Sequence, residues 1–300
     1  MNRIVFVSAL LSATALGMPS VSAWDFFPPN PQPPVSNCDT LCDPLRDDII
    51  QDLEGFQKAL NSIVDIDDAN DIVQEAVNAG NLVNLDLDGF TLGTVEQSAD
   101  VFQFSANLID GGKGSTFSNL SQAATNVVNS VTGTTAWNIH QTVTNRQMAF
   151  NTILGGAGGY DADLTDGSLE DAMTQTAVNA SNLVDLGTLK NEINQTSENS
   201  QTAINTAVFQ SDTAYSYHYP FITTVDADIW DLGQSATNVT NNITVGAIDL
   251  ANGCACDYEI DQTADAGQFA KNYLSALGDV NNIVQKATNV ANSVGVPSDD

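Results

Sequence analysis

The stretch QAATNVVNSV, Gln122 to Val131, decides the fold because the chain repeats it with small changes. QEAVNAGNLV begins at Gln74, QTAVNASNLV at Gln175, QSATNVTNNI at Gln234 and QKATNVANSV at Gln285. Looser copies begin between these at Gln97, Gln141, Gln201 and Gln262. Two positions before each Gln stands an apolar residue such as Ile72, Leu120, Ile139 or Ile283, with Asn199 as the exception. Two positions after stands Ala, or Val143 in one copy; four after stands Asn, except at Val101 and Ala266. An apolar-x-Gln-x-Ala-x-Asn segment alternates with period two, which is the pattern of a strand. The seventh position alternates between Asn (Asn81, Asn129, Asn182, Asn241, Asn292) and a bulky apolar residue (Phe104, Met148, Val208, Phe269). Two kinds of unit are therefore taken in turn, and such internal periodicity marks a solenoid or array.

The fold expected is mainly β, a repeat β-solenoid. Identical strands stacked about 4.8 Å apart align equivalent side chains into ladders. A side-chain amide both donates and accepts, so each can bond to its copies on either side. The residues placed in the ladder are Gln74, Asn78, Asn81, Gln97, Gln122, Asn126, Asn129, Gln141, Gln175, Asn179, Asn182, Gln201, Gln234, Asn238, Asn241, Gln262, Gln285, Asn289 and Asn292. An α-helical repeat array is the alternative, since Ile283, Ala287, Val290 and Val294 also fit a heptad stripe. Thr, Asn and Val are poor helix formers, which favours strands.

Four segments are expected. Residues 1–23 read as a signal peptide: Arg3, an apolar run Ile4 to Leu16, then Val21-Ser22-Ala23 before Trp24. Residues 24–43 form a Pro-rich leader holding the first cysteine pair. Residues 44–64 are expected to be a capping α-helix, with Pro44 in the first turn and Leu45, Ile49, Leu53, Phe56, Leu60 and Ile63 on one face. Residues 65–300 are the repeat domain.

The units resemble those of the curlin repeat proteins of bacterial surface fibres, over roughly residues 72–296. Curlin repeats also set an inward Gln and Asn among small residues on two strands per turn. Here the small residue is Ala, the Asn spacing differs and the units are longer. The resemblance implies a β-solenoid used in fibre assembly or surface attachment rather than an enzyme.

Composition narrows the partners. A formal net charge of −29 argues against nucleic acid and anionic lipid. No segment after the signal is long and apolar enough to span a membrane. The expected location is secreted, extracellular or cell-surface, and the expected partner is the chain itself, in fibres. The second reading is a secreted solenoid that binds or cleaves a surface polysaccharide.

The remaining candidates are sparse. Cys38, Cys42, Cys254 and Cys256 suggest two disulfides in an exported protein, with a four-thiolate metal site as the alternative. Asn84, Asp86 and Asp88 resemble the start of a calcium loop, but position twelve is Val95 where an EF-hand has Glu. Calcium is thus the one ion suggested, and no other cofactor is expected. Tyr215, Tyr217 and Tyr219 alternate in YSYHYPF and offer rings for a glycan or an assembly contact. No nucleophile motif is present, so no catalytic residue is assigned.

Overall fold

The structure is a computed structural model that describes residues 48–66, 68–85, 92–111, 115–155, 173–209, 212–215, 222–225, 229–248, 259–276 and 279–295. Its elements are β1 (Ile49–Val64), β2 (Asp68–Leu85), β3 (Leu92–Asp110), β4 (Thr116–Gly155), β5 (Met173–Phe209) and β6 (Asp212–Tyr215). They continue with β7 (Ile222–Val225), β8 (Ile229–Trp230), β9 (Leu232–Ile248), β10 (Glu259–Ser275), β11 (Val280–Asn281) and β12 (Val284–Gly295). No helix occurs among the described residues, so the fold is mainly β and the helical array is set aside.

Nearly all pairing is parallel and in register. β2, the first half of β4, the first half of β5, β9 and β12 form one ladder. β1, β3, the second half of β4, the second half of β5 and β10 form another. Along the chain the strands alternate between the ladders, so each copy of one kind of unit lies on the previous copy of that kind. β6 and β7 form a small antiparallel pair, and β8 pairs with β11.

The two ladders face each other. Ala124, Ala177 and Ala236 of the first pack against Ala149 and Ala203 of the second. Alanine keeps this middle narrow. One apolar cluster (Val131, Ile139, Val184, Leu189, Ile193, Ile243) fills the end where the first ladder hands over to the second. Another (Ile109, Phe117, Leu120, Ile153, Met173, Leu232) fills the opposite end. Burying these side chains supplies the main stabilisation, at about 1.5–3 kcal/mol for each large residue.

The helix expected over residues 44–64 is corrected. Residues 44–47 lie outside the described set, but Ile49–Val64 is strand β1, paired with β3 from Ile49↔Val95 to Val64↔Asp110. The segment carries two periodicities. Its helical stripe would put Phe56 and Leu60 beside Leu53, but in β1 they point out at 61% and 52% exposure. Gln51, Leu53, Gln57, Ala59, Asn61 and Ile63 point in. Helical propensity is local and weak, and the template offered by β3 outweighs it.

Asn81, Asn129, Asn182, Asn241 and Asn292 all adopt left-handed backbone, with φ from 50 to 55°. Each lets two successive residues turn inward, so both Val128 and Asn129 are buried. Asn tolerates this conformation better than any residue but Gly. Asn182→Gly should therefore cost about 2–3 kcal/mol, for the buried partners it leaves unsatisfied, and Asn182→Val about 1–2 kcal/mol more, because valine also strains the left-handed turn that glycine keeps. Urea unfolding midpoints of the two variants would check the ranking.

Candidate functional site

Among the described residues, six amide columns run the length of the stack. In the first ladder they are Gln74–Gln122–Gln175–Gln234–Gln285, Asn78–Asn126–Asn179–Asn238–Asn289 and Asn81–Asn129–Asn182–Asn241–Asn292. Each adjacent pair is hydrogen-bonded, at 2.6–3.0 Å. In the second they are Gln51–Gln97–Gln141–Gln195–Gln262, Gln57–Gln103–Gln147–Gln201–Gln268 and Asn61–Asn107–Asn151–Asn205–Asn272. These bonds measure 2.7–2.9 Å.

Each amide nitrogen has two hydrogens, and most of the amides inside the columns use them in different directions. One goes along the column. The other crosses to a backbone carbonyl of the facing ladder, as from Asn179 to Thr202 at 2.8 Å and from Gln195 to Asn182 at 2.7 Å. The buried amides are thereby satisfied, and the columns also join the two ladders.

The columns are polar, in opposite senses. Every Gln donates toward the end formed by β1 and β2, as Gln122 does to Gln74 and Gln97 to Gln51. Every Asn donates toward the end formed by β10 and β12, as Asn238 does to Asn289 and Asn205 to Asn272. Among the described residues the columns stop at each end. The β1/β2 end therefore presents Gln N–H donors and Asn oxygens. The β10/β12 end presents Gln oxygens and Asn N–H donors.

Sequence reading found the first-ladder residues but misplaced part of the second. Gln201 does not stand on Gln141; Gln195 does, with Ile193 before it, and Gln201 stands on Gln147. That shift removes the exception at Asn199. Gln51, Gln57, Gln103, Gln147, Gln195 and Gln268, with Asn61, Asn107, Asn151 and Asn272, were not recognised as ladder residues. Their signal is a different spacing: Gln, then Gln six residues on, then Asn after four more, in all five second-ladder strands. Where a column is interrupted, the amides fail to pair. Asn145 and Asn199 lie side by side between Val101 and Ala266, and their Oδ1 atoms have no hydrogen-bond partner.

The other candidates are only partly placed. Asn84 is exposed near the end of β2, while Asp86 and Asp88 lie outside the described residues. Tyr215 ends β6 opposite Ile222, and Tyr217 and Tyr219 lie outside. Cys38, Cys42, Cys254 and Cys256 also lie outside. Among the described residues, no group of three or more His, Cys, Asp or Glu could hold a metal, and no helix could cross a membrane.

Protein-family models, curated proteins and solved structures were compared with the chain, and none matches it.

Proposed function

We propose that this protein is an exported β-solenoid, the subunit of an extracellular fibre or surface matrix that grows by stacking one chain on the end of the next. Its role is structural rather than catalytic. The observation that carries the reading is the match between the two ends. Gln51, Gln57 and Asn61 have the same spacing as Gln262, Gln268 and Asn272. Gln74, Asn78 and Asn81 have the same spacing as Gln285, Asn289 and Asn292. In all six columns the donor left open at one end meets an acceptor left open at the other. Each new bond contributes about 1 kcal/mol, and pairing of open strand edges adds to it. The outward column that starts at Glu75 ends at Lys286, so the junction also brings opposite charges together. Export rests on the reading of residues 1–23.

The test is electron microscopy of the concentrated chain. Regular filaments are expected, with slower growth for Glu75→Lys and recovery in Glu75→Lys/Lys286→Glu. A chain that stays in discrete particles at high concentration rejects the reading.

A further inference from the structure

The outward face of the second ladder is a second surface, independent of the ends. Its strands are divided along their length. Toward the strand starts the face is acidic, with Asp52, Glu54, Asp100, Glu198, Asp261 and Asp265 outward and exposed. Past the column of Glu54 it turns aromatic and cationic. Phe56 stacks on Phe102 at 5.1 Å and Phe104 lies 5.7 Å from Phe150. Arg146 sits over the Phe102 ring, and Lys58 and Lys271 stand in the same half. Phe56 and Phe269 are 61% and 52% exposed, and Ile50 reaches 74%. In a chain of net charge −29 carrying only 8 Lys and Arg, three cations within one aromatic patch need an explanation.

We propose that this face pairs with the same face of a second copy, about a two-fold axis parallel to the stacking direction and passing between the columns of Glu54 and Phe56. Such an axis reverses the strands and leaves each rung opposite the same rung of the partner copy. A position on one side of the pivot then meets the position equally far from it on the other. In the first rung this sets Lys58 against Asp52 and Leu60 against Ile50. In the last rung it sets Lys271 against Asp261. In the middle rung Arg146 meets Thr144, whose neighbours along the column are Asp100 and Glu198. Every cation of the patch thus finds a carboxylate, and each contact occurs twice, as a two-fold interface requires.

The alternative face-to-face axis, along the strands, would lay acidic columns on acidic columns, which is destabilising. The area is sufficient. Five rungs at about 4.8 Å, by eleven residues at about 3.3 Å, give roughly 870 Å² per copy, close to the ~800 Å² that a specific interface of standard size buries on each side. Because the axis preserves stacking direction, paired stacks can also lengthen together, but pairing does not depend on stacking.

The full chain and three variants test this: Lys58→Asp/Lys271→Asp, the charge swap Asp52→Lys/Lys58→Asp/Asp261→Lys/Lys271→Asp, and Phe104→Asp. Pairing is scored by filament width in micrographs where filaments form, and by sedimentation equilibrium where the chain stays soluble. Thermal unfolding verifies that each variant folds, as expected for outward positions. Expected are paired stacks or dimers for the unaltered chain, a dissociation constant raised at least tenfold by the double reversal, return to within threefold in the swap, and loss of pairing in Phe104→Asp. Single-width stacks or monomers of the unaltered chain overturn the proposal, as does a swap that fails to restore pairing. Single-width filaments would leave the stacking function standing, whereas dimers without filaments would support this face and reject end-on growth.

Discussion

Replacing Asn179 by Asp should lower the unfolding free energy by about 3–5 kcal/mol at neutral pH, the larger of two effects expected from single substitutions. The side chains are nearly the same shape, so packing is unchanged. Asn179 is fully buried at the centre of its column. It donates to Asn238 at 2.9 Å and to Thr202 at 2.8 Å, and accepts from Asn126 at 2.8 Å. A carboxylate keeps the accepted bond but has no hydrogen to donate, and its oxygens would face those of Asn238 and Thr202. The buried charge has no cation beside it in its column. In the folded variant the carboxyl is therefore held above the ordinary range, and stability is regained as pH falls from that raised value toward the unfolded-state value of about 4, because protonation of the folded chain returns one donor. Asn289→Asp, at the exposed end of the same column, should cost under about 1 kcal/mol. Urea titrations of both variants at neutral and acid pH measure the contrast. An equal cost at the two positions would show that the columns do not hold the stack together.

Ala177→Leu should cost at least about 3 kcal/mol, at the upper end for an overpacked core. Ala177 lies between Ala124 and Ala236 in its ladder, within the fully buried alanine cluster that includes Ala203 of the facing strand. A leucine there must push the ladders apart. That also stretches the cross-ladder bonds on either side, from Gln175 to Thr206 at 3.1 Å and from Asn179 to Thr202. A loss confined to packing would stay near 1–2 kcal/mol, so the unfolding midpoint separates the two accounts. Ala177→Gly removes one methyl and should cost only about 1 kcal/mol.

Much of this architecture was legible in the residues. The first ladder was readable because Gln, Asn and Asn recur at fixed intervals, with Ala between the first two, and no helix needs amides every fourth and third residue on a face it would leave to solvent. The strand class followed from period two. The second ladder was harder. Gln195 is followed by Ser197 where the first motif has Ala, whereas Gln201 is followed by Ala203 and Asn205, so an alignment anchored on the first motif slipped by six residues onto Gln201. The segment Ile49–Val64 misled for another reason. Its side chains satisfy both a helical and an alternating pattern, and nothing local distinguishes them.

What the sequence determined by itself was the rung: which side chains are identical from copy to copy, and hence which can bond to their own kind, because that requires only repetition and an amide. The tertiary structure alone decided where each rung lies and which way its amides point. Hydrogen-bond direction depends on the geometry of neighbouring strands, and Gln and Asn, differing by one methylene, donate toward opposite ends. It likewise decided the state of β1, since a segment with two periodicities takes the one that a neighbouring strand can pair with. The acidic and aromatic halves of the outer face became visible only once register had placed residues some fifty positions apart side by side, as in Lys58↔Phe104 and Phe104↔Met148.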